Sequence, residues 1–318
     1  PGRCWSDEVL EKLEIPKEWL GTVYESCQVT GTLLPEIAEQ TGLSTEVKVV
    51  GGAGDNAAAA VGTGVVRDGS AFTTIGTSGV VFAHSSKVTI DPKGRVHTCC
   101  CAVPGAWHVM GVTQGAGLSL KWFKDQFCQD YVAEAKKQGV DVYDLINRDI
   151  EKIPVGSDRL LYLPYLMGER SPHNNPDARA MFIGMSMDTT REDMTQAVLE
   201  GVAFGLRDSL EVARSLGIKI ERTKICGGGA KSPLWKKMIA NIMNLKVDVV
   251  ENEEGPALGG AMLAAVGCGE YPDVETAAEK IVKVVDTVEP DEELTAKYEE
   301  RYQQFRKIYP TVKCLYEK

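Results

Sequence analysis

The periods with which apolar positions recur divide this chain into elements. Val47, Val49 and Val50 form a short β-branched run that predicts a buried strand. Gly51, Gly52 and Gly54 break it, and the Ala-rich run directly after Asp55 and Asn56 predicts a helix. Strand patterns follow at 71–83 (split by a glycine-bearing turn at 76–79), 95–103, and 107–112 after a Pro-Gly turn. Leu118, Leu120, Trp122 and Phe123 among Lys and Asp then shift the pattern to the helical period over Gly117–Phe127.

Further on, 128–158 reads as polar helix and 160–166 as a strand entering the loop 168–179. A long helix over 191–216 has cap candidates at Asp188-Thr-Thr and stops at Gly217. Strand 223–226, a triple glycine, and a helix started by Ser232-Pro233 come next, then strand 247–250, helix 257–266 and two charged helices. Hairpin-linked strands followed by alternating helix and strand predict an α/β domain with a mixed sheet. Before residue 47 the pattern gives short helices at 7–13 and 33–41 and too few apolar residues for a separate core.

Composition changes this picture little. The 318 residues, 43% hydrophobic and 25% charged, suit an ordinary globular chain of two units or one large one. A formal charge of −10 argues against a nucleic-acid surface but leaves room for one nucleotide held by backbone amides. The nine cysteines, with Cys99, Cys100 and Cys101 consecutive, have no CxxC metal clip and predict reduced, largely buried thiols. The four histidines share no ligand spacing. No stretch reads as a membrane span or signal peptide, so a cytoplasmic protein is expected. The opening Pro-Gly-Arg without Met reads as a fragment of a longer protein.

Candidate chemistry concentrates in three places. Asp55 stands where strand gives way to helix, and is open to two readings: helix N-cap, or a carboxylate aimed at a ligand that the glycines admit. The turn Ile75-Gly-Thr-Ser-Gly79 exposes amides and hydroxyls suited to phosphate oxygens, or is an ordinary hairpin turn. Gly227-Gly-Gly-Ala-Lys-Ser-Pro233 ends a strand and opens a helix, an anion-favouring geometry without the spacing of a P-loop or dinucleotide motif. Lys231, Lys236 and Lys237 read as a solvated helix face. The small residues of Gly255-Pro-Ala-Leu-Gly-Gly-Ala261 allow close helix packing and read as scaffold around the nucleotide, not as a contact to it. One carboxylate and two phosphate-suited turns amount to equipment for phosphoryl transfer to a hydroxyl.

Gly52-Ala-Gly-Asp-Asn-Ala-Ala58, Gly76-Thr-Ser-Gly-Val-Val81, Pro164-Tyr-Leu-Met-Gly-Glu-Arg-Ser-Pro-His-Asn-Asn-Pro176 and Gly227-Gly-Gly-Ala-Lys-Ser-Pro-Leu-Trp235 resemble, in order, stretches of the FGGY family of carbohydrate kinases. The first and third resemble its xylulokinase branch. The resemblance implies an actin-like (ribonuclease H-like) ATPase fold, a mixed sheet flanked by helices. It divides the chain into the tail of a sugar-binding domain (1–66) and a nucleotide-binding domain (67–318).

It also implies phosphorylation of D-xylulose by ATP with Mg²⁺, with another family sugar (ribulose, gluconate) or a non-catalytic nucleotide-binding module as alternatives. Asp55 matches the catalytic base and Asn56 a sugar contact. Gly76, Thr77 and Ser78 match the turn at the terminal phosphates, and Gly228, Gly229 and Ser232 the adenosine side, flanked by Gly117 and Trp122. No metal ligand is assigned. Sugar and ATP are the expected partners, nucleic acid and membrane are not, and a homodimer stays open. The family's Asp-x-Gly-Thr loop has no match here, which implies the later part of such a kinase, inactive or nearly so by itself. The loop 168–179 receives no chemical role.

Overall fold

The computed structural model describes residues 2–252 and 254–316. Residues 2–54 form a thin layer of helix α1 (Asp7–Lys12), strand β1 (Val29–Thr32), helix α2 (Pro35–Thr41) and strand β2 (Lys48–Val50). The strand at 47–50 is not buried as its β-branched pattern predicted. Val47 and Val49 are exposed and Val50 is half-buried, because β2 pairs only with β1 in a two-stranded ribbon. Among the described apolar side chains of this layer, Leu10 and Ala38 alone are buried.

Helix α3 (Asp55–Gly62) follows, with Gly54 as its N-cap, so Asp55 is the first helical residue and not the cap. Strands β3 (Gly69–Ile75), β4 (Gly79–Ser85), β5 (His97–Cys100) and β6 (Trp107–Thr113) pair antiparallel. Helices α4 (Gly117–Phe127), α5 (Gln129–Gln138) and α6 (Val142–Ile150) lead to a small hairpin, β7 (Leu161–Leu163) with β8 (Met181–Ile183), and to the long α7 (Arg191–Ser215). The chain then alternates through β9 (Ile220–Cys226), α8 (Pro233–Met243), β10 (Lys246–Val250), α9 (Gly255–Cys268), α10 (Val274–Ile281), β11 (Val284–Val288) and α11 (Glu292–Val312). β1, β8 and β11 were not foreseen. Each is short and lacks a fully buried residue, so none carries a clear period-2 signal.

One seven-stranded sheet, in the order β11-β10-β9-β3-β4-β6-β5, organises everything after α3. β9 runs parallel to both β3 and β10 and the remaining pairs are antiparallel. Strand alternation divides its side chains between two cores. Ala71, Ile75, Val81 and Ala83 join α7, α8 and α11 on one face; Phe72, Val80 and Phe82 join α3, α9 and α10 on the other. Phe72 and Phe82, directly opposite in register, stack with centroids 4.7 Å apart.

α7 starts at a capping box in which Thr190 Oγ1 accepts from Asp193 N and the Asp193 carboxylate accepts from Thr190 N. Beyond it, Gly201 lets the helix press on Tyr162, whose carbonyl oxygen would lie 2.2 Å from an added Cβ.

α3 and α9 approach even more closely. A Cβ at Gly62 would lie 1.9 Å from the Gly255 carbonyl oxygen, and one at Gly259 1.9 Å from that of Ala58. The small-residue stretch after Gly255 is thus a helix-packing scaffold, and Lys224 Nζ donates to the Gly64 carbonyl just beyond α3 at 2.9 Å. The cysteine expectation needs correction. None of the nine is in a disulfide, but only Cys101, Cys128 and Cys226 are buried; Cys99 and Cys100 lie exposed on β5, an edge strand. Among the described residues no helix is long and apolar enough to cross a membrane.

Candidate active site

Because β3 and β9 are parallel neighbours, with Thr74 opposite Cys226, their carboxyl ends finish together. The two glycine turns, far apart in sequence, therefore meet. Gly227 adopts φ +89°, and a Cβ there would lie 2.8 Å from the Ile75 carbonyl oxygen. At Gly229 a Cβ would lie 2.5 Å from Ile75 Cγ2 and 3.0 Å from the Trp235 ring. On the other side Gly117 N donates to Gly76 O at 2.8 Å and Leu118 N to Thr77 O at 3.2 Å. Three loops thus interlock around the residues 75–77.

Between them opens a cavity of about 430 Å³, within the range of small-molecule sites. Gly76, Thr77, Gly228, Gly229 and Ser232 line it with Gly117. Two of these glycines face open space: an added Cβ at Gly228 would meet nothing within 4 Å, and one at Gly76 only Ser78 O at 3.6 Å. The opposite wall was not foreseen. It comprises Lys121 of α4 and the cap and first turns of α6, with Asp141, Tyr143, Asp144 and Asn147. Asp141 Oδ1 accepts from Tyr143 N at 2.8 Å and so caps α6, and burial raises the Tyr143 phenol above its ordinary pKa. The only sequence signal here was Asp141 ahead of a helical pattern; Asp144 and Asn147 looked like any polar helix face.

The triple glycine does not open α8 directly. A 3-10 turn over Gly228–Lys231 intervenes, and Ser232 Oγ caps α8 by accepting from Trp235 N at 3.2 Å. Lys231, on that turn, is exposed and lines the cavity, whereas Lys236 and Lys237 do not line it. Lys121 is paired with Asp125 at 2.7 Å; Lys231 has no ion pair among the described residues.

Four further candidates lie outside the cavity lining. Ser78 holds the turn through its carbonyl, which accepts from Gly76 N at 3.0 Å. Trp122 packs edge-on against Phe127, with centroids 5.7 Å apart. Asp55 is exposed at the first turn of α3, and its Oδ1 accepts from the backbone N (2.7 Å) and Nδ2 (3.2 Å) of the half-buried Asn56. Among the described residues no group of three or more His, Cys, Asp or Glu side chains is placed to hold a metal ion.

Two glycines with open space, Lys231 and a wall that also carries Asp141, Asp144 and Tyr143 make a cavity for a ligand with a compact polar part and an organic body. The FGGY carbohydrate-kinase C-terminal domain model matches residues 71–268, and the N-terminal domain model matches residues 2–62. The xylulose kinase of Bacillus subtilis is 37% identical over 98% of this chain and 60% of its own length. That of Escherichia coli is 35% identical over 96% of this chain and 61% of its own. The crystal structure of a xyloylose kinase from Brucella ovis superposes with a TM-score of 0.87 at 35% identity, covering 98% of this chain and 62% of that one. The chain thus spans about 60% of the length of the curated relatives it matches. It belongs to the FGGY family of carbohydrate kinases and has that family's actin-like α/β fold.

Proposed function

We propose that the protein acts in transferring the terminal phosphoryl group of ATP, with Mg²⁺, to a hydroxyl of D-xylulose, giving xylulose 5-phosphate. The observation that carries this reading is the meeting of the Gly76 and Gly228 turns around a cavity with unfilled space at both glycines. The likeness to xylulose kinases supports the sugar. In this reading residues 1–66 end a sugar-binding domain and 67–318 form the nucleotide domain of a cytoplasmic enzyme. The turn of Gly76, Thr77 and Ser78 serves the terminal phosphates, through the amides and hydroxyls of Thr77 and Ser78 and the open space at Gly76. Gly228, Gly229 and Ser232, with Gly117, serve the adenosine side.

Asp55 accepts the proton of the sugar hydroxyl as its oxygen bonds to phosphorus and the bond to the leaving diphosphate breaks. Its neighbour Asn56 holds the sugar. An exposed carboxylate that accepts hydrogen bonds from the adjacent residue is oriented and still reachable for this task. MgATP supplies the phosphoryl group; the chain supplies alignment, fixed dipoles and a base.

The test is Asp55→Ala in the full-length enzyme, with a coupled ADP-release assay and calorimetry. We expect kcat to fall about a thousandfold or more while nucleotide affinity changes less than about twofold. Turnover that survives the change makes Asp55 no base. A panel with D-ribulose and gluconate checks the sugar, and faster turnover of either overturns xylulose.

A further inference from the structure

The loop 168–179 carries a buried carboxylate that the reading above leaves unused. Glu169 is 3% exposed. Its Oε2 accepts from Thr113 Oγ1 at 2.6 Å, and its Oε1 accepts from Arg170 N at 2.7 Å and Gln114 N at 3.3 Å. The loop is itself fixed. Glu169 and Asn175 exchange backbone hydrogen bonds at 2.9 and 2.8 Å, and Ser171 N donates to Val112 O of β6 at 2.9 Å. Asn175 Nδ2 donates to the Tyr309 hydroxyl of α11 at 2.9 Å.

Thr113 and Gln114 begin the turn that ends at Gly117, one of the three interlocked loops. Thr113 stands opposite Gly79, the residue after Ser78, and its Cγ2 would lie 2.9 Å from a Cβ there. Gly115 lies against Pro164, whose carbonyl oxygen would be 2.0 Å from an added Cβ. Gly117 and Leu118 then donate to Gly76 O and Thr77 O. The turn is therefore held at its start by Glu169, at its middle by Pro164 and at its end by the residues 76–77. A buried carboxylate is a costly anchor, and burial raises this one to about 7. Its listeners are three donors that all favour the ionised form, while Asp208 of α7 opposes it.

We propose that Glu169 is a positioning residue for the terminal-phosphate side of the nucleotide cavity, acting through Thr113 and Gln114 on the Gly76-Thr77-Ser78 turn. This rests on the nucleotide reading given above. Of the adenosine side, only Gly117 shares this turn, three residues beyond Gln114, whereas Gly228, Gly229 and Ser232 stand between β9 and α8, outside the contacts of Glu169, Thr113 and Gln114. The two halves of the ligand should therefore respond differently.

The experiment is calorimetry of the protein and its variants with ATP and with adenosine. For Glu169→Gln, which keeps the shape and removes the charge, ATP affinity falls about tenfold while adenosine affinity changes less than about twofold. Thr113→Val, a near-isosteric loss of the hydroxyl, gives the same split, and Thr113→Ser restores ATP affinity. Equal losses for both ligands make Glu169 an ordinary structural residue and overturn the proposal, as does no loss for either. If the unaltered protein binds ATP no more tightly than adenosine, the nucleotide reading itself falls; a normal preference with an unaffected Glu169→Gln variant sinks the positioning role alone.

Discussion

At Gly62 and Gly259 a single added carbon would lie 1.9 Å from a backbone oxygen of the facing helix, whereas at Gly228 it would meet nothing within 4 Å. In sequence these glycines look alike, each among small residues in a helix or just ahead of one. Between α3 and α9 the missing side chain is replaced by another backbone, so the glycine serves the fold. At the cavity its space stays open, so the glycine serves whatever enters. Glycine-rich sequence announces close approach without saying to what; only the fold sorts the two uses.

The largest effect should come from filling a seat already taken. Gly259→Ala is expected to cost about 3 kcal/mol, since backbone cannot yield as a flexible side chain does. Gly260→Ala, one residue along α9 with nothing within 4 Å of its Cβ position, should be neutral or stabilising by up to about 1 kcal/mol. Urea denaturation of the pair measures the difference, and equal midpoints would break the comparison.

Gly229→Ala should fall between the extremes. Its added carbon meets Ile75 Cγ2 and Cβ and the Trp235 ring, side-chain atoms of two buried residues and not backbone, so a cost of about 2 kcal/mol is expected, with weakened nucleotide binding. Thermal melts and titration with ATP report both, and a variant unchanged in each would show that Ile75 is no support. The smallest stability effect belongs to Gly228→Ala, within about 0.5 kcal/mol, yet ATP affinity should fall about tenfold as the methyl occupies ligand space. Unaltered affinity would remove Gly228 from the site.

Much of this was legible beforehand. The hairpin of β3 and β4, the start of α8 at Ser232-Pro233 and the extent of α7 follow from local periodicity and capping, which the fold leaves intact. Burial was less legible, because it depends on what lies across a face: Val50 of β2 meets α9 at Gly267 and is half-buried, while its neighbour Val49 stays exposed. In the cavity the glycine turns were readable as motifs. Asp144 and Asn147 were not, since a polar residue facing a ligand space and one facing solvent have the same local signature. Glu169 was hidden for the opposite reason, as a charged residue in a polar loop that the fold buries to 3%.

The backbone-to-backbone seating of α3 has a mechanical consequence. Side chains between helices act as compliant spacers, and at Gly62 and Gly259 there are none. Lys224 adds a tie from β9 to the carbonyl just past the helix. α3 is thus a stiff arm of about 12 Å mounted on the sheet. The tolerance with which that arm carries Asp55 is set by peptide geometry and not by rotamer freedom along its mounting.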